Sequence, residues 1–150
     1  MARVDYYAIE TQIKSILDAD SNLTGTTVSV EGEILFSAEQ TPWVGIYLER
    51  REAPASLQTL AAGQRTNFLL RFSIWCWSFS LESITKAIQQ RDDLLGKVEI
   101  SLMSNRTLGN LVRKSWLEGG EMPSGRMPDN TGFVSGAEII LVAEGVASTV

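Results

Sequence analysis

The most regular pattern in the chain is a strict alternation from Thr66 to Phe79. Phe68, Leu70, Phe72, Ile74 and Cys76 fall on one side, and Asn67, Leu69, Arg71, Ser73, Trp75, Trp77 and Phe79 on the other. Successive side chains of an extended strand point to opposite faces, so this spacing predicts one long strand with an apolar core face. The opposite face turns from mixed to aromatic toward Phe79, and its aromatic half needs a cover. Upstream, Ile9, Ile13, Ile16 and Leu17 recur at helical spacing, which predicts an amphipathic helix from Asp5 to Leu17 with Asp5 as N-cap. Asp18 to Asn22 end it with side chains that compete for backbone hydrogen bonds. Strands are predicted over Thr26 to Val30, Glu33 to Ser37 and Trp43 to Glu49, with Pro42 as punctuation before the last.

Downstream, Ser80 is expected to cap a second helix whose stripe is Leu81, Ile84, Ala87 and Ile88, with Glu82 and Ser83 in its first turn. Asp92 to Met103 fits two patterns. Val98, Ile100 and Leu102 suit a strand, whereas Leu94, Leu95, Val98 and Leu102 suit a helix; the helical reading is adopted, with a break near Arg91 to Asp93. A strand from Val112 to Glu118 is stopped by Gly119-Gly120, and Phe133 to Val146 closes the domain as another. Two segments lack periodicity, Arg50 to Arg65 and residues 119–132, and both are expected to be mobile contact loops. The second contains Pro123, Gly125 and Pro128, against regular structure. The sum is an α+β fold: a single domain with a mainly antiparallel sheet and two or three helices packed on one face.

Composition narrows what such a domain can do. With 150 residues, 44% hydrophobic and 21% charged, the chain can bury one core without disulfides or a structural metal. A formal charge of −5 disfavours gripping nucleic acid, which requires clustered Lys and Arg, yet it suits a channel through which DNA slides without sticking. Cys76 is the sole cysteine, and its place on an apolar face predicts a buried, inert thiol. No apolar run approaches the ~20 residues of a membrane helix. Met1 to Asp5 lack the apolar stretch of a signal peptide, so the expectation is a soluble, cytoplasmic chain.

The chain contains no histidine, which excludes serine-histidine and cysteine-histidine nucleophile systems, and no phosphate-binding glycine motif occurs. The carboxylate pairs Glu31 with Glu33 and Asp92 with Asp93 could serve hydrolysis or a divalent metal, but acids at turns and helix starts are usually solvated caps. No catalytic, cofactor-binding or metal-ligating residue is assigned. The candidates are interface residues instead. Trp75, Trp77 and Phe79 form either an aromatic core under the second helix or an exposed docking patch. Arg50, Arg51, Arg65 and Arg71 are either solvated or poised to pair with Glu31, Glu33 or Glu121 of a neighbour. Glu121, Met122 and Arg126 on the second loop complete the set.

The order of parts carries a resemblance: a helix, strands with a long hairpin loop, an aromatic strand holding Arg71-Phe72-Ser73-Ile74-Trp75, a helix, then Arg106-Thr107-Leu108-Gly109-Asn110-Leu111-Val112, and a final strand through Gly136-Ala137-Glu138-Ile139-Ile140-Leu141-Val142. In this order, over nearly its whole length, the chain resembles the tail terminator, or tail completion, proteins of long-tailed bacteriophages. The resemblance implies a non-enzymatic virion protein, assembled in the host cytoplasm as a hexameric ring. Such a ring caps the tail tube, stops polymerisation of the major tail protein, and offers the surface that joins the head-tail connector; DNA passes through its lumen without specific binding. Another neck component on the portal side is the alternative, and a small carboxylate-dependent enzyme using Glu31, Glu33, Asp92 or Asp93 the more distant one.

Overall fold

The computed structural model describes residues 4–33, 42–52, 65–127 and 131–148. Helix α1 (Tyr6–Ala19) begins where Asp5 accepts a hydrogen bond from the Ala8 amide at 3.0 Å, the expected cap. A single 3₁₀ turn, Ser21–Leu23, leads into strand β1 (Thr27–Val30). Strands β2 (Trp43–Glu52) and β3 (Arg65–Ser80) follow, then helix α2 (Ile84–Met103), β4 (Lys114–Gly119), β5 (Ser124–Arg126) and β6 (Phe133–Ser148). The fold is α+β, as the periodicities predict. The sheet runs β1-β2-β3-β6-β4, with the short β5 on the same side of β6 as β4; β1 and β2 are parallel and every other pairing antiparallel.

Both helices lie on one face of this sheet. Ile9, Ile13 and Leu17 of α1 and Leu94, Val98 and Leu102 of α2 share a core with Val44, Ile46, Phe72, Ile74, Ile139 and Leu141. Phe68, Leu70, Phe72, Ile74 and Cys76 are all buried there, so the predicted core face of the long strand is the observed one. Each fully buried Leu, Ile or Phe contributes about 1.5–3 kcal/mol relative to exposure.

Several boundaries and one element differ from expectation. Ser80 does not cap α2. The ladder with β6 holds it as the last residue of β3, opposite Phe133, and its hydroxyl accepts the Glu82 amide at 3.1 Å. Ser83, in an extended conformation, caps instead through the Lys86 amide, which leaves Leu81 exposed outside the helix. No break occurs at Arg91 to Asp93. Arg91 is buried within a continuous α2 because Asp92 receives its Nε at 2.9 Å, satisfying the charge that would otherwise oppose burial. Residues 104–113 form a turn before β4, where Leu108 takes φ +46° while fully buried. Left-handed backbone costs a non-glycine residue about 1–2 kcal/mol, which burial of the leucine side chain offsets.

The expected loop at 119–132 contains the regular strand β5, whose Ser124, Gly125 and Arg126 pair with Ser135, Val134 and Phe133. Pro123 precedes that strand, and its carbonyl still accepts the Gly136 amide at 2.8 Å. The predicted strand Glu33 to Ser37 and most of the Arg50 to Arg65 loop lie outside the described residues, although Arg50 to Glu52 extend β2 and Arg65 opens β3.

Phe72 is among the largest fully buried side chains and stands on the central strand. Phe72→Ala is expected to cost about 3–5 kcal/mol of unfolding free energy. Urea denaturation followed by tryptophan fluorescence measures it.

Candidate functional site

The helix-free face of the sheet is the candidate site. Its residues follow from register. One cross-strand row is Thr27, Trp43, Trp77 and Gly136; the next is Ser29, Gly45, Trp75 and Glu138; then come Tyr47, Ser73, Ile140 and Glu118; then Arg71, Val142 and Trp116. Four tryptophans, all those in the chain, therefore emerge on this one face.

Glycines shape how those rings lie. A β-carbon at Gly45 would stand 2.3 Å from the Trp43 ring, and one at Gly136 would stand 2.5 Å from the Trp77 ring, so each indole lies flat across a glycine. Trp75 and Trp77 stack with centroids 5.3 Å apart and planes 15° from parallel. Phe79 likewise lies over Gly132. As a result Trp43 is only 3% exposed, while Trp75, Trp77 and Phe79 are half-buried. Of the two sequence readings, the aromatic core under the second helix is overturned, because α2 packs on the other face against the residues around Cys76. The sequence signal for this arrangement was available in Gly45 and Gly136: a glycine within a strand marks a close approach.

Beyond the aromatics the face becomes charged. Arg71 reaches Glu118 at 3.0 Å and Glu52 at 3.9 Å, and Glu52 also lies 3.6 Å from Arg50. Arg51 turns to the helix side, its guanidinium 5.8 Å from the Tyr6 ring centroid. Three of the arginines expected at a subunit boundary thus have partners within the chain, and the side chain of Arg65 lies outside the described residues. Glu121 and Met122 are exposed beside β5, and Arg126 sits 5.2 Å from the Phe133 ring. The structure brings Glu121 to Glu138 through a Glu138 amide bond to the Glu121 carbonyl at 2.8 Å. Ser73 donates to the Glu138 carboxylate in the middle of the face.

The carboxylates are distributed differently from the sequence pairs. Asp92 is bound to Arg91 and Asp93 to Lys97 at 2.7 Å. Glu31, at φ +54°, accepts the Leu48 amide at 2.8 Å. Its carboxyl meets that of Glu10 on α1, which is 5% exposed. Burial first, and then the Glu31 charge and hydrogen bond, push the Glu10 carboxyl up to about 7. The same neighbourhood raises Tyr47, by burial and then by Glu31. Burial, assisted by Glu99, pushes the Cys76 thiol up to about 12, so it stays a thiol at neutral pH and is no nucleophile. Among the described residues no cluster of three metal-ligating side chains exists, and no helix is long and apolar enough to cross a membrane.

Neither a family model nor a curated protein matches this chain. What the site can do therefore rests on its geometry, which offers a broad aromatic surface with an ion-paired border.

Glu10 generates a pH dependence with a defined sign. Its folded pKa lies above its ordinary value of 4.5, so the stability it confers is full below pH 4.5 and is lost as pH rises through about 7. The melting temperature of the wild type is expected to fall across that window, and Glu10→Gln to flatten the fall. Scanning calorimetry at pH 4.5, 6 and 8 on both proteins tests this.

Proposed function

We propose that the chain is a structural, self-assembling protein, the tail terminator of a long-tailed bacteriophage. One observation carries the self-assembly: the sheet is covered by helices on one face only, and the other presents Trp75, Trp77, Phe79, Tyr47 and Trp116 without a covering layer among the described residues. An aromatic surface of this kind is what binding hot spots are made of. The assignment to tail terminators is supported by the order of elements, from α1 through the long β3 and α2 to the turn holding Arg106 to Val112 and the final β6.

On this reading the protein forms a ring, hexameric on the family pattern, which caps the tail tube and ends polymerisation of the major tail protein. Its other side meets the head-tail connector protein, and DNA passes through the acidic lumen without being gripped. It performs no catalysis and takes no cofactor. Its place is the neck end of the virion tail.

Sedimentation velocity of the purified chain, alone and with purified tail tubes, is the test. Assembly into a ring-sized species that binds tube ends is expected; a strict monomer that neither assembles nor binds overturns the reading. Trp75→Ala is expected to weaken self-association at least tenfold while moving the urea midpoint little, because this ring is half-exposed and spans no core layer. A loss of folding with no intermediate loss of assembly would return Trp75 to the core.

A further inference from the structure

Two patches of the uncovered face are complementary in shape and charge. Beside β2, past the end of the shorter β1, lies a shallow hollow of about 750 Å³ lined by Glu33, Tyr47, Glu49, Ser73 and Trp75. Glu49 is there because the register of β2 slips between Leu48 and Arg50, leaving it as the extra residue of a bulge. Glu33 and Glu49 are exposed and make no ion pair among the described residues, and no Lys or Arg lines the hollow. Acids therefore rim an aromatic floor.

Across the sheet, at its far edge, β4 carries the opposite combination. The side chains of Arg113 and Lys114 are 65% and 60% exposed and share a single acid, Glu144, at 4.0 and 3.3 Å. The Lys114 ammonium stands 5.6 Å from the Trp116 ring centroid, and Trp116 is itself 38% exposed. This is a cationic and aromatic projection with one positive charge in excess, and β4 has no strand beyond it among the described residues.

We propose that the occupant of the hollow is a second copy of this chain, whose Arg113, Lys114 and Trp116 seat against Glu33, Glu49, Tyr47 and Trp75. This inference rests on the self-assembly reading and names the surfaces that meet. An indole placed on an aromatic floor buries roughly 150–250 Å² at about the cost of two torsions, and the flanking charges fix its orientation. Ion pairing across such a rim weakens with added salt, since exposed charges are screened within about 8 Å at physiological ionic strength.

Two charge-reversed variants test it, Arg113→Glu with Lys114→Glu, and Glu33→Lys with Glu49→Lys. Each alone sets like charge against like charge and is expected to raise the self-association constant for dissociation at least tenfold in sedimentation velocity. An equimolar mixture of the two restores opposite charge at every contact, and is expected to return the wild-type species with the variants alternating. Either variant alone assembling like wild type overturns the proposal. So does a mixture that stays dissociated while each variant melts at the wild-type temperature. Should a reversed variant melt early, the neutral pairs Arg113→Gln with Lys114→Gln and Glu33→Gln with Glu49→Gln replace the reversals; loss of the salt dependence of assembly supports the proposal, and its retention overturns it. A variant that self-assembles normally but no longer binds tubes assigns the hollow to a tube protein and overturns it too. A monomeric wild type is a different failure, since it removes the assembly reading itself.

Discussion

The structure depends on one constraint: a strand has two faces, and one layer of helices can cover only one of them. In β3 the consequence is sharp because the strand is central, with β2 on one side and β6 on the other. Phe72, Ile74 and Cys76 receive α1 and α2, and the buried apolar core behind them anchors the domain. The side chains between them have no such partner layer, so they must be stabilised within the sheet. Two devices do this. Indole rings lie down across Gly45 and Gly136, each shielding its neighbour, and Arg71 bridges strands by reaching Glu118 and Glu52. Flattened aromatics and ion pairs stabilise this face within the chain without hiding it.

The same constraint explains what could be read from the amino-acid sequence. Alternation is a local property, so the two faces of β3, the strand β6 and both amphipathic helices were legible from spacing alone. What failed depended on partners distant in sequence. Ser80 and Ser83 are equally good caps by residue type; pairing of Ser80 with Phe133 across the sheet decided between them. The break expected near Arg91 to Asp93 does not occur: Arg91 is buried within a continuous helix, and Asp92 removes the cost of burying its guanidinium. Pro123 and Pro128 argued against a strand, yet Pro123 only precedes three paired residues at an edge, where its missing amide interrupts nothing.

The candidate site was legible in the same uneven way. The aromatic run of β3 pointed to the correct face, but Trp43 and Trp116 joined it only through register with β3 and β6. Glu31 was grouped with Glu33 because they are neighbours in sequence. Its left-handed backbone instead carries it to Glu10, 21 positions earlier on α1, and to the Leu48 amide. That separation matters for function as well as folding. Glu31 is consumed in holding β1, β2 and α1 together, whereas Glu33 and Glu49 are left at the rim with no charge to answer them among the described residues.

Charge is therefore sorted by position. On the open face Arg50 and Arg71 answer Glu52 and Glu118, so the arginines there that seemed available to a neighbour are already engaged. Among the described residues, Glu138 in the middle of the face is held by the Ser73 hydroxyl without a cation, and unmatched charge stands toward the two sides, acidic beside β2 and basic at β4. Exposed ion pairs contribute little affinity, of the order of 0–1 kcal/mol each, while buried aromatic anchors supply most of it. A surface with aromatics over its span and unmatched charge at its margins thus separates two tasks. On the proposed self-assembly the tryptophans favour covering the face, and the margins select the edge that covers it and its orientation.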